Sequence, residues 1–162
     1  MHFLVTLHEI RDDATLARLG NALLETIVEN NCELLQRYEA IPPLFCSGVR
    51  FREEPWAIGP NRLPGGLEQF THLLEVLDRG WGDCAQLCSW RCAELRTGGW
   101  RTPDAPKGER ATLRYFIRPR CPKCGPKADC TDLTHPNRSR SYHVEMRRAD
   151  GRIEDPSQLL AY

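Results

Sequence analysis

Three side chains in this sequence have the types and spacing to do chemistry together: Cys84, His143 and Asp155. Cys84 follows Gly80-Trp81-Gly82-Asp83. Two glycines let the backbone turn sharply, and Asp83 is suited to cap a helix. The cysteine then falls in the first helical turn, where backbone amides and the positive dipole end favour thiolate over thiol. The same amides can hold an oxyanion as it develops on an attacked carbonyl. His143 lies in an alternating stretch, Tyr142-His143-Val144-Glu145-Met146, and imidazole is the usual base for a thiol. Asp155 comes after Asp150-Gly151, a strong hairpin turn, which would set it on the strand beside His143. A carboxylate there fixes the ring's tautomer and orientation. Taken singly, each residue has a plainer reading: an inert small hydrophobe, a hydrogen-bonded histidine, a turn former before proline. Their order and spacing together favour a catalytic Cys-His-Asp set.

The chemistry expected of such a set is acyl transfer. A thiolate attacks an amide or ester carbonyl, a thioester forms, and the imidazolium protonates the leaving amine. Water then gives hydrolysis, and a lysine amine would give crosslinking. Residue types do not separate a peptidase, an amidase and a transglutaminase; hydrolysis is the default because water is always present. No cofactor is expected for catalysis.

Three stretches resemble the transglutaminase-like superfamily, and more narrowly its small phage- and prophage-encoded members. They are PPLFCSGVRFREEP at 42–55, RGWGDCAQLCSWRCAELR at 79–96 and YHVEMRRADGRIEDPSQLL at 142–160. The resemblance spans roughly Ile41 to the C-terminus, and its specific pieces are Gly-Asp-Cys followed later by Asp-Pro-Ser. It implies a papain-like α+β fold, with the nucleophile helix packed on an antiparallel sheet that carries His143 and Asp155. It implies a cysteine protease-like hydrolase or acyltransferase with a protein or peptide substrate. It also implies an alternative, a phage structural or assembly protein with virion partners and little or no catalysis. The sequence departs from the family where acidic residues often follow the cysteine; Ala85 and Gln86 stand there. Beside the nucleophile, Asp83 and Trp81 are the neighbouring residues of interest. Trp81 and Trp56 are candidates for a side-chain oxyanion donor and equally fit as core aromatics.

The other cysteines divide into two groups. Cys84, Cys88 and Cys92 recur at i, i+4 and i+8 on one helix face, stacked too far along it to share one ion easily. Cys88 and Cys92 are expected to pack behind the nucleophile. Cys121-Pro122-Lys123-Cys124 is a compact Cys-x2-Cys knuckle, and Cys130 and His135 follow it. Together these four would make a closed tetrahedral zinc site of structural role. A zinc-dependent nucleic-acid binder is a third reading, but it leaves the Gly-Asp-Cys and Asp-Pro-Ser pieces unexplained, so nucleic acid is not the expected partner.

Elements must position these groups. Alternation over 2–10 predicts a strand. Asp12 and Asp13 then cap a helix whose apolar face is Leu16, Leu19, Leu23 and Ile27, continuing to Leu34 and Leu35 with an interruption near Asn30-Asn31. Pro42-Pro43 ends it. A short extended segment follows at 45–52 and a Pro- and Gly-rich loop at 55–66. Helices are predicted over 67–77 and from Asp83 to Arg96, then strands over 111–117 and 142–148 with a return at 152–154. Residues 119–141 read as an inserted Cys-rich loop. Helices precede strands, which argues for an α+β domain with N-terminal helices packed on a C-terminal antiparallel sheet.

The bulk properties bound the function. A chain of 162 residues suits a single domain. Twenty-two basic residues balance 22 acidic ones, so net charge gives no general pull toward nucleic acid or anionic membrane. Basic residues nonetheless predominate from Arg110 to Arg152. No apolar stretch approaches the roughly 20 residues that span a bilayer. The N-terminus lacks the features of a secretory signal, so a cytoplasmic setting, with virion association as an extension of it, is expected. In that reducing setting thiols and metal ligands are more natural than disulfides.

Overall fold

The structure is a computed structural model that describes residues 3–6, 12–52, 67–120 and 139–161. The described elements run β1 (Phe3–Thr6), α1 (Asp13–Arg37), β2 (Arg50–Phe51), β3 (Leu67–Phe70), α2 (Leu73–Arg79), β4 (Trp81–Gly82) and α3 (Cys84–Thr97). They continue with β5 (Thr112–Arg120), β6 (Ser139–Arg147), β7 (Ile153–Glu154) and α4 (Pro156–Leu159). Helices thus dominate the N-terminal part, and a three-stranded antiparallel sheet of order β5-β6-β7, followed by the short α4, makes up the C-terminal part.

Helix α3 is the centre of the molecule. Every residue from Cys84 to Leu95 is buried, which leaves the helix no solvated face. It packs against α1 on one side and against β6 and α4 on another. Leu87, Trp90 and Leu95 anchor one apolar cluster, while Cys84, Ala85 and Cys88 join Tyr115 and Val144 in a second. Helix α1 starts where Asp12 accepts a hydrogen bond from the Thr15 amide at 2.8 Å. It buries Leu16, Gly20, Leu24, Ile27, Val28, Asn31 and Leu35, a spacing of three and four that gives one stripe. Gly20 lets α1 lie directly on the Tyr115 ring, since a Cβ there would sit 2.7 Å from its carbons.

Three predicted boundaries change. The expected interruption at Asn30-Asn31 is absent, and α1 runs through. The Asn31 side chain instead accepts the Leu73 amide at 2.9 Å, so it does not compete with its own helix for backbone groups. The helix predicted over 67–77 is split. Leu67–Phe70 is a strand paired with β1, and the helix begins only at Leu73. Phe70, Leu73, Leu74 and Leu77 mimic a helical stripe, but the β1 backbone claims the first part of it. The segment predicted as extended over 45–52 opens with a 3-10 turn at Leu44–Cys46. Buried Glu94 accepts the Leu44 amide at 2.6 Å and fixes that turn.

The C-terminal sheet is longer than predicted. Pro119 pairs with Arg140 and Arg120 with Ser139, so strands extend into both ends of the predicted 119–141 loop. Pro119 is tolerated because β5 is an edge strand of this sheet. The turn at Asp150-Gly151 is present: Gly151 has φ 87°, and the Arg148 amide donates to the Arg152 carbonyl at 2.9 Å. No helix among the described residues is long and apolar enough to cross a membrane.

Candidate active site

The nucleophile candidate is placed by a turn and a reciprocal cap. Gly80 ends α2 in the left-handed region at φ 74°. Trp81 and Gly82 then form β4, which pairs in parallel with β2. Asp83 is the N-cap of α3; its carboxylate accepts the Gln86 amide at 3.0 Å. The Gln86 side chain returns to accept the Asp83 amide at 3.0 Å. This capping box satisfies two backbone donors at once. Gln86 is therefore the group that closes the helix start. Cys84 occupies the first helical position and is 8 % exposed.

His143 and Asp155 meet on the sheet. The ring Nε2 of His143 lies 2.8 Å from Asp155 Oδ2. Register explains the contact. Met146 pairs with Glu154, so Asp155 falls opposite Glu145 and diagonally beside His143 on the same face. Phe116, the partner of His143 on β5, presents its ring edge-on to the imidazole at 5.4 Å. With Nε2 committed to the carboxylate, Nδ1 is the ring nitrogen left to exchange a proton with a thiol.

Asp155 is itself held from several sides. It caps α4, accepting the Ser157 amide at 3.1 Å, the Ser157 hydroxyl, and the Gln158 side chain at 2.8 Å. Pro156 stands at the first helical position, where no amide is needed. Burial pushes the Asp155 carboxyl up, but the bonds from His143, Ser157 and Gln158 outweigh it and bring the value down to about 2. Asp155 is thus an anion across the pH range in which an imidazole works.

The helix carrying Cys84 packs against the strand carrying His143. Cys88 donates its thiol to the Val144 carbonyl at 3.3 Å, next in sequence to His143. Cys84 lies one turn before Cys88 on the same helix face, in one apolar cluster with Val144. The structure therefore joins His143 to Asp155 directly and sets Cys84 at the start of the helix packed on their strand. The chain matches no known protein family, no curated protein and no solved structure.

The other described cysteines range from buried to exposed. Cys88 and Cys92 are fully buried, as their spacing predicts. Burial raises the Cys88 thiol well above the usual range and lifts Cys92 to about 12. Cys32 is also raised by burial. Cys46 is exposed on the 3-10 turn. The zinc candidates Cys121, Cys124, Cys130 and His135 lie outside the described residues, as does Trp56. Trp81 is half-buried, and its ring lies against the guanidinium groups of Arg79 and Arg52.

Sequence reasoning passed over the residues that hold Asp155. Ser157 and Gln158 follow an Asp-Pro pair, which is a local helix-start signature that a capping argument could have found. It also passed over Arg91, which donates to Glu154 at 2.8 Å and ties β7 to α3 beside Asp155. No local signal marks that pair, because its partners are 63 residues apart.

Proposed function

We propose that the protein is a transglutaminase-like cysteine hydrolase or acyltransferase of papain-like fold. Cys84 is the nucleophile, His143 the base and then the acid, and Asp155 the group that orients and stabilises the imidazolium. The observation that carries this reading is the His143–Asp155 bond on a strand packed against the helix that begins at Cys84. An imidazole fixed by a carboxylate, with its other nitrogen left over, needs a proton donor such as a thiol to be useful.

In the proposed reaction the Cys84 sulfur forms a bond to the substrate carbonyl carbon while His143 Nδ1 takes the thiol proton. The carbonyl oxygen becomes an oxyanion near the first-turn amides of α3. Collapse breaks the carbon–nitrogen bond, and His143 returns the proton to the leaving amine. Water, deprotonated by His143, then attacks the thioester and releases a carboxylic acid and the thiol. A substrate lysine in place of water would give a crosslink. The acidic N-cap, the capping box and the burial of α3 serve to keep the helix start rigid while charge moves there.

Limiting iodoacetamide at about pH 6, mapped by mass spectrometry, tests the assignment. Ordinary thiols, with pKa near 8.5, react slowly under those conditions, whereas a histidine-paired thiolate reacts fast. Cys84 is expected to be alkylated before exposed Cys46, and His143→Ala is expected to abolish the preference. If Cys84 reacts no faster than Cys46, the nucleophile assignment is wrong.

A further inference from the structure

Strand β2 and the β4 tryptophan gather positive charge immediately before the candidate nucleophile. Arg50 is paired with Trp81 across the parallel β2–β4 ladder, and Phe51 with Gly82. Side chains alternate along a strand, so Arg50 and Arg52 share the face of Trp81 while Phe51 turns to the core. The Arg52 guanidinium stands 5.3 Å from the Trp81 ring centre, and that of Arg79 stands 3.9 Å from it. Arg79 is pinned there, since its Nε donates to the Trp81 carbonyl at 2.8 Å and its Nη2 donates to Gln86 of the capping box. Arg50 and Arg52 are exposed, and among the described residues no carboxylate pairs with either. Asp83, at the start of α3, accepts the Gln86 amide through Oδ1.

Like charges collected around one indole repel one another, and an anion placed among them would relieve that repulsion. Arginine is suited to the task because its planar fork matches a carboxylate while its face stacks on an aromatic ring. The patch is also close to the chemistry. Three peptide steps of ~3.8 Å limit the Trp81–Cys84 Cα separation to about 11 Å. That is the span of a few residues of extended substrate.

We propose that Arg50, Arg52 and Trp81 form a subsite beside Cys84 that binds a carboxylate of the substrate, so that the preferred substrates carry an acidic residue near the attacked amide. Arg79 is a positioning residue that holds Trp81 in place. This inference rests on Cys84 being the reacting group, and it narrows the substrate class rather than the reaction type.

Two alkylating probes of similar size test it. Iodoacetate carries a carboxylate and iodoacetamide does not. The ratio of their rates at Cys84, divided by the same ratio at exposed Cys46, reports attraction of the anion independently of how reactive each thiol is. The normalised ratio is expected to be about fivefold, the size of a favourable surface ion pair, and to fall toward one in high salt. The double variant Arg50→Gln, Arg52→Gln is expected to lose most of it, while Arg37→Gln, at the far end of α1, keeps it. A normalised ratio near one, or one that survives the double substitution, overturns the subsite; in the second outcome the helix start alone attracts the anion. A fast Cys84 with a ratio of one leaves the nucleophile standing without the subsite. A slow Cys84 with a high ratio leaves an anion-attracting patch but overturns its role as a substrate subsite, together with the nucleophile.

Discussion

Strand β6 carries His143 at its middle and is followed directly by Arg148; carboxylates bind both side chains, yet the two places are built differently. At mid-strand, His143 meets a single carboxylate, Asp155, through one ring nitrogen. Just past the strand, Arg148 is 7 % exposed and meets Glu109 through two bonds of 2.8 and 2.9 Å, and Asp104 through a third. Arg148 also approaches Glu154, which Arg91 binds from α3. These carboxylates raise the Arg148 guanidinium further above its already high range, so it never changes charge. Arg148 has its donors taken up by fixed partners and serves as a clamp between the close of β6, the 104–109 loop and β7. His143 keeps one ring nitrogen beyond the one that meets Asp155. What separates a structural ion cluster from a candidate catalytic pair is thus this reserve of unspent bonding capacity, more than burial or proximity.

Substitutions at His143 and Arg148 should separate reactivity from stability. The largest effect is expected from His143→Ala on acyl transfer by Cys84, a loss of about 10²–10⁴-fold, as for removal of a positioned general base. Its cost in stability should be only about 1 kcal/mol, the worth of one hydrogen bond. Single-turnover hydrolysis of an amide or thioester probe, read beside urea unfolding, measures both. A His143→Ala variant with intact turnover would erase the functional contrast between His143 and Arg148.

Arg148→Ala should do the opposite. It strands Glu109 and Asp104 beside a partly buried strand end, and a loss of about 3 kcal/mol is expected in urea unfolding. Cys84 alkylation by iodoacetamide at pH 6 should remain selective wherever the protein is folded. Selective loss of Cys84 reactivity in a folded Arg148→Ala protein would show that the clamp, acting through Glu154, governs the alignment of Asp155.

The smallest effects sharpen the account of Asp155. Its carboxyl is lowered from 3.8 to about 2, so the stability it contributes is present above pH ~4 and is lost as pH falls toward 2. Asp104, lowered mainly by the Arg148 bond, loses its contribution on the same acid side. Ser157→Ala removes one hydroxyl donor from Asp155 and should cost about 1 kcal/mol at neutral pH. The fall in stability between pH 4 and pH 2 should become shallower in that variant. An unchanged acid limb would mean that Asp155 owes its low value to His143 and Gln158 alone.

What the sequence by itself determined are the features made by neighbours in the chain. Gly80 and Gly82, the Asp83 cap and the start of α3 at Cys84 follow from residues within a few positions of one another, and so do the Asp150-Gly151 turn and the return that brings Asp155 to His143. Short-range hydrogen bonds and allowed φ values settle these whatever surrounds them. The general layout, N-terminal helices followed by a C-terminal antiparallel sheet, was legible from periodicity for the same reason. Tertiary structure decided the rest. Whether Leu67–Phe70 is helix or strand depends on β1, more than sixty residues earlier. Whether Asn31 breaks α1 depends on an amide at Leu73. The Arg52 stack on Trp81 and the Arg91–Glu154 tie join side chains with no periodic signature, and only the packing of α3, β2 and β7 puts their charges in range. Local backbone preferences are encoded in adjacent residues, while burial and ion pairing depend on which distant surfaces the fold brings together.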